Sequence, residues 1–538
     1  MDAALFHGAF NPVIAEARDA GHGLFDPKTG DTIVQGRKGM AIFIGVMSFA
    51  VKAVMAKAAT HGGPREGDVY IMNDPYVSGT HLNDFKMVRP VFSQGELVCY
   101  VASAGHWTDV GGNIAGNFNA VATETFQEGV LVPAVRVMRG GELQDDVVDM
   151  LTSISRMPRN CLGDLHAQLN AVALGAERLQ VLAVEFGGDA LRAAFRELHH
   201  RAAQLARAAI ADLPDGTYSF DDELDEDAKE HRPIKVAVDV TVLGDKLTLD
   251  FSRTSRAVLG PQNASYPTTV ASCYVAIKHL FPEIFANGGC LDPVHIVVPP
   301  DSMLNATRPM PLSGYVETSG RIVDVIFGAI AKAAPQLTNG LPHGTINALS
   351  MAGTRTNGES WVMFLFFGGG LGGNPQGDGL NNGGSPIGSA LIAPAEIIEA
   401  RYPVLFHKWA LRPDSGGAGQ YRGGLGALYE IELLADWATY SHFGERAEST
   451  PSGVAGGMPA LGNEVSIRQE AVWEPLKTGA KAAGIPLAKG SRVRLETPGG
   501  GGFGSPQGRT AESIQRDLKL GYVSIDAAKH DYPQANLQ

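Results

Sequence analysis

The chain has 538 residues, room for roughly two to four domains, and 44% of them are hydrophobic, enough to bury a large core. Its formal net charge of −13, with no basic run, argues against a nucleic-acid or membrane-surface partner. Four scattered cysteines (Cys99, Cys161, Cys273, Cys290) form no Cys-x-x-Cys pair, which excludes a disulfide framework and leads us to expect small core residues in a reducing cytoplasm.

In chain order, the opening MDAALFHGAF lacks the charged start and cleavage site of a signal peptide. Gly23 to Phe25 and Thr32 to Gln35 read as strands joined by the turn Asp26-Pro27-Lys28-Thr29-Gly30. Met40 to Ala59 reads as a buried helix; Lys52 and Lys57 within it argue against a membrane span. Helices are expected over Asp145–Arg156, Gly163–Phe186 and Leu191–Ala211, the last ended by Leu213-Pro214-Asp215-Gly216. There the period changes from 3.6 to 2, and Lys235–Val242 and Lys246–Phe251 form a hairpin around Gly244-Asp245. Helices at Thr268–Leu280 and Ile322–Ala334, strands at Ile296–Val298 and Ser360–Phe367, and a final helix at Ala511–Lys519 complete the reading. The expected class is α+β and multi-domain, with mixed and antiparallel sheets and packed helices. Its units are 1–212 (an α/β region with the site described next), 213–400 (central α+β) and 401–538 (glycine-rich β with a terminal helix).

The chemistry concentrates in Ile71 to Gly112. Phe85–Phe92 and Leu97–Ala104 are extended runs around the turn Ser93-Gln94-Gly95-Glu96. A turn centred on Gln94-Gly95 makes paired residue numbers sum to 189, so Asp84 faces Gly105 and neighbours His106, with Cβ atoms roughly 5–8 Å apart. His81 precedes Asp84 by three residues. Two imidazoles and a carboxylate at a strand end suit an open Zn²⁺, Mn²⁺ or Fe²⁺ site; the plainer reading is polar residues capping strand ends. Asp74 and Asp109 are placed to orient the histidines, though Asp74 also suits an Asx turn before Pro75. Asp19 is a further carboxylate, and Glu396 and Glu399 share a helical turn.

Other motifs fall away. Gly368/Gly370/Gly373 and Gly499/Gly501/Gly504 match G-x-G-x-x-G, but neither opens a helix, so both are expected to be tight backbone turns. No G-x-x-x-x-G-K-[ST], H-E-x-x-H or G-x-S-x-G occurs.

Asn73-Asp74-Pro75-Tyr76, Gly79-Thr80-His81-Leu82-Asn83-Asp84 and Gly105-His106-Trp107-Thr108-Asp109-Val110-Gly111-Gly112 resemble the signature of the hydantoinase B/oxoprolinase family. Ser155–Ala171, Asn287–Pro299, Gly416–Gly426, Pro498–Pro506 and Gly521–Ala528 agree, so the resemblance covers nearly the whole chain. It implies a divalent metal (Zn or Mn) on His81, Asp84 and His106, with Asp109 or Asp19 as base or supporting group. It also implies an A-type partner that carries ATP and Mg in a cytoplasmic hetero-oligomer, a heterotetramer or larger. The activity implied is ATP-dependent opening of a cyclic amide (a hydantoin, N-methylhydantoin, 5-oxoproline or lactam). There metal-activated water attacks a carbonyl phosphorylated on the partner. A ketone carboxylase component is the alternative within the family, and a scaffold with a structural metal is the non-enzymatic one. The chain departs from the pattern in lacking a helical lead-in before Asn11–Asp19. It also has Phe43 and Ile44 where many hydrolytic members carry a histidine.

Overall fold

The computed structural model describes residues 1–116, 118–227, 232–388 and 390–535. Among these are twelve α-helices and four sheets, mixed and antiparallel, as the α+β reading requires. The first sheet holds β1 (Ala20–Phe25), β2 (Thr32–Gln35), β3 (Val69–Met72), β4 (Asp84–Ser93), β5 (Glu96–His106), β6 (Val135–Arg139) and β7 (Glu142–Leu143). Their order is β2-β1-β5-β4-β3-β6-β7, antiparallel at every pairing. Phe85, Met87 and Val101 share a core with the Pro158–Phe186 helix, and Val88, Ala102 and Ala104 share the other with the Ala41–Ala59 helix. Burial on both faces explains why β4 and β5 read as nearly continuous apolar runs.

The Ala41–Ala59 helix is, among the described residues, the one long and apolar enough to cross a membrane. Here it lies in the core between the first sheet and the Tyr266–Leu280 helix. Phe43 and Ile44 are buried in that core, so their departure from the family pattern is absorbed by packing.

The second sheet contains β8 (Gly216–Leu224), β9 (Ile234–Leu243), β10 (Lys246–Asp250) and β11 (Val294–Val297), ordered β11-β10-β9-β8, with β10 and β11 parallel. Strand β8, GTYSFDDEL, is absent from the sequence reading because its side chains are mostly polar or half-exposed. The Tyr315–Ala333 helix packs on β8 and β9. It begins seven residues before the expected Ile322, because its first two turns bury the polar Glu317, Thr318 and Ser319. A period search for apolar residues does not register such a start.

The remaining strands are β12 (Ala348–Thr354), β13 (Ser360–Leu365), β14 (Val404–Leu411), β15 (Ala427–Leu433), β16 (Trp437–Phe443), β17 (Glu464–Arg468), β18 (Glu474–Pro475), β19 (Lys481–Ala488) and β20 (Arg492–Glu496). They form sheets ordered β13-β12-β16-β19 and β14-β15-β20-β17-β18. Because β12 pairs with β16, a boundary at 400/401 cuts through a shared sheet. Glycine-rich segments cross beside these sheets, backbone against backbone. Gly370 N donates to Pro498 O, Gly373 N to Gly501 O and Gly500 N to Gly424 O. A Cβ on Gly423 would stand 1.7 Å from the Gly500 carbonyl oxygen, so only glycine permits this approach.

Candidate metal centre

The site grows from the β4–β5 hairpin. Gln94 and Gly95 both have positive φ (53° and 83°), as a tight hairpin turn of this twist needs. Near the turn the pairs Phe92↔Leu97 and Ser93↔Glu96 keep the expected sum of 189. A bulge between Val91 and Phe92 then shifts the register, and Val91 faces Cys99. Beyond it Asp84 pairs with His106 itself, and Gly105 falls opposite Phe85. The expected neighbours are thus direct cross-strand partners on one face. On the far side of β5, Ala20 pairs with Gly105 and His106 N donates to Asp19 O (3.1 Å), which seats Asp19 next to His106. Asp84, His106 and Asp19 therefore stand at the ends of three adjacent strands.

His81 reaches the same point from a loop held at several places. Gly79 and Thr80 adopt φ of 73° and 66°. Thr80 N donates to Thr268 Oγ1 (2.8 Å), and the buried Lys86 Nζ donates to Gly79 O (2.9 Å) and Thr80 Oγ1 (2.6 Å). Burial brings the Lys86 ammonium down to about 8, against the opposing pull of Asp84 and Asp74. Asn73 Nδ2 donates to Leu82 O (2.7 Å) and Asn83 Nδ2 to Trp107 O (2.8 Å), tying the loop to its neighbours. Asn73 and Asn83 of the motif therefore anchor the loop that carries His81.

His81 Nε2, His106 Nδ1 and Asp84 Oδ1 form a triangle with all three sides 3.2 Å. Ligand atoms about 2.0–2.2 Å from one ion stand about 2.8–3.6 Å from one another, so the triangle fits a divalent metal. The donor set, two nitrogens and one oxygen, suits Zn²⁺, Mn²⁺ or Fe²⁺. All three side chains are at most 3% exposed. Burial opposes ionisation of Asp84, but the charge of His81 and hydrogen bonds from both imidazoles hold its carboxyl well below the usual range. Its second oxygen, Oδ2, accepts from Tyr315 Oη (3.3 Å). Burial, with the charges of Asp84 and Asp19, raises the Tyr315 phenol well above its ordinary value, so it remains a donor.

Asp19 Oδ2 lies 3.7 Å from His106 Nδ1, and its Oδ1 is buried with no hydrogen-bond partner among the described residues. Burial pushes its carboxyl up to about 7; His106 opposes the rise and Asp84 adds to it. Asp109 is placed elsewhere. Its oxygens accept from Arg156 N (2.9 Å), Arg156 Nη1 (2.9 Å) and the amides of Gly111 and Gly116. These bonds tie down the glycine turn after β5. Asp74 likewise caps a short helix by accepting from Tyr76 N (3.1 Å) and pairs with Arg308. Glu399 accepts from Phe406 N (2.7 Å), and the four cysteines are buried free thiols.

A cavity of about 410 Å³ opens onto the triangle. His106 stacks on Phe364 (5.1 Å between centroids, 16° between planes), which stacks on Phe118 (5.0 Å, 15°). His81 meets Phe118 and Tyr315 edge-on. The imidazoles are thus clamped by aromatic rings.

Residues 1–506 match the hydantoinase B/oxoprolinase family. The chain belongs to that family. It is 31% identical to the beta subunit of the caprolactamase of Pseudomonas jessenii, over 96% of this chain and 90% of that one. The crystal structure of the ATP-dependent caprolactamase from that organism superposes with a TM-score of 0.90 at 28% identity, covering 98% of this chain and 92% of the other. The B-type subunit of a putative D-/L-hydantoinase from Pseudomonas sp. (strain NS671) is 27% identical over 97% and 90% of the two chains. The nucleotide-free acetone carboxylase structure, at 20% identity, shares the fold with a TM-score of 0.91 over 99% of this chain and 77% of its own.

Within this hydantoinase B fold, Tyr315 and Lys86 are the site residues that sequence reasoning misses. Lys86 is accessible to it in principle, lying two residues along the strand from Asp84 and so on its face. Tyr315 has no local signal.

Proposed function

We propose that this chain is the metal-site, B-type component of an ATP-dependent cyclic-amide hydrolase acting with an A-type, ATP-binding partner. The observation that carries the reading is the His81–Asp84–His106 triangle at the inner end of an apolar cavity. The likeness to the beta chain of a caprolactamase and to the B-type chain of a hydantoinase supports the lactam-type substrate and the two-component organisation.

His81, Asp84 and His106 would hold the ion, which when bound supplies Lewis-acid polarisation of an oxygen brought to it. The remaining work belongs to the chain. Tyr315 fixes the Asp84 carboxylate by donating to Oδ2, which leaves Oδ1 facing the imidazoles. Asp19, with its free Oδ1 at the cavity edge and its carboxyl near 7, can take a proton from an attacking water and return it to the amide nitrogen that leaves. Phe118 and Phe364 keep water from the flanks of the histidines. The ATP-driven activation of the carbonyl would come from the partner.

The test is turnover of a lactam by the chain co-expressed with its A-type partner. ATP-dependent ring opening without bicarbonate supports the hydrolase; a bicarbonate requirement with a carboxylated product replaces it with a ketone carboxylase. If His106→Ala removes the metal while the folded complex still turns over, the ion is structural and the catalytic reading fails.

A further inference from the structure

Walls and inner end of the cavity differ in kind. Among the described residues lining it, the ionisable side chains are Asp19, His81, His106 and Tyr315, all clustered at the triangle. Among the described residues no lysine or arginine lines it. From the triangle outward the walls are aromatic and aliphatic, with Phe364, Trp409, Val316, Ile392 and Leu391 among them. Of the neutral polar side chains near the rim, Asn382 already accepts from Tyr429 Oη through its Oδ1 (2.8 Å). Lys86 stands behind the His81 loop with its ammonium committed to Gly79 and Thr80.

A substrate carbonyl at the triangle must lay the rest of its molecule along these walls. A carboxylate there would lose its water and gain no cation, and an unpaired buried charge is strongly disfavoured. Resting on the function proposed above, we infer that the pocket selects carbonyl compounds whose ring or chain is uncharged and apolar, and discriminates against those bearing a carboxylate. A simple lactam is accepted and a 5-oxoproline-type amino-acid lactam is refused. The cavity's size places it within the about 300–1,000 Å³ typical of small-molecule sites, so the exclusion is one of charge, not of volume.

Binding tests this without turnover. Ligand-observed NMR and calorimetry on the full chain, metal-free and Zn²⁺-loaded, would compare 2-piperidone, its 6-carboxylate and the methyl ester of that acid. The ester matches the acid in bulk and lacks its charge. Expected is binding of the lactam and ester, with the carboxylate at least about 100-fold weaker. Leu391 lies at the rim, 45% exposed, so Leu391→Arg leaves the fold intact and supplies the missing cation. It should recover about 10-fold for the carboxylate alone. A carboxylate that binds within about three-fold of the ester, or three compounds that all fail to bind, overturns the inference. If the binding pattern holds while the complex with its partner opens neither lactam nor ester, the hydrolase reading falls and the pocket's selectivity stands.

Discussion

Two places in this chain bury charge, and they solve the problem in opposite ways. Between the second and third sheets, Arg321 and Arg446 enclose Asp222 and Asp324. Arg446 Nη2 lies 2.8 Å from Asp222 and 2.9 Å from Asp324, and Arg321 Nη1 lies 3.0 Å from each. Two guanidiniums thus meet two carboxylates inside the fold. At the metal corner, Asp84 and Asp19 pair with two imidazoles, and among the described residues no arginine or lysine forms an ion pair with either carboxylate. Buried charge brings its counter-ion along unless the counter-ion arrives from solution. The arginine cluster is therefore a structural joint, and on the function proposed above the histidine corner is a receptor for a cation.

Substitution can break this comparison, starting at the corner. His106→Ala should abolish stoichiometric metal binding, measured by elemental analysis, and with it turnover, while the thermal midpoint stays near that of the unaltered metal-free chain. Unchanged metal content would make the corner another self-sufficient joint. Arg446→Met should do the reverse. It leaves Asp222 and Asp324 short of a partner and should cost about 3–5 kcal/mol in denaturant unfolding, with metal affinity untouched.

Smaller effects sharpen the contrast. Tyr315→Phe removes the donor to Asp84 Oδ2 and should weaken metal binding about 10–100-fold without unfolding the chain. Competition with a chromophoric chelator would show it. Glu317, fully buried on the same helix, has its carboxyl pushed up to about 8 by burial, with a further rise from the charge of Glu445. The folded chain keeps this proton where the unfolded chain, with an ordinary carboxyl near about 4.3, has lost it. Stability is therefore greatest at the acid end of that window and falls as pH rises toward about 8, by at most about 1.4 kcal/mol per pH unit from this group. Glu317→Gln should flatten that fall in denaturation midpoints taken from pH 5 to 8; an unchanged slope would show that Glu317 is not its source.

The corner is unusually readable because its parts are local. His81, Asp84 and His106 sit on one hairpin and its entry loop, so turn chemistry and side-chain period bring them together. The expected register errs by one because the Val91/Phe92 bulge inserts Val98 without any glycine or proline to announce it. Asp19 has no local support in the sequence, since its neighbour His106 lies 87 positions away and only the β1–β5 pairing joins them. Asp109 shows the converse: it lies close in sequence to His106, yet its carboxylate oxygens accept from Arg156 and from glycine amides. Most helices are legible from period and caps. Strand β8 and the first turns of the Tyr315–Ala333 helix are not, because polar side chains there serve the interior or the solvent in patterns that apolar spacing does not register.

The crossing glycine segments bear on how a mutational survey of this protein would look. Hypothetical Cβ atoms at Gly372, Gly423, Gly499 and Gly502 all fall within 2.0 Å of another segment's carbonyl oxygen. Even alanine, the smallest side chain available, would force these backbones apart. Tolerance to substitution should therefore collapse here as completely as at His81, Asp84 and His106. A map of intolerant positions would light up two regions of equal brightness, the candidate metal centre and the place where polypeptide is stacked as closely as bare backbone permits.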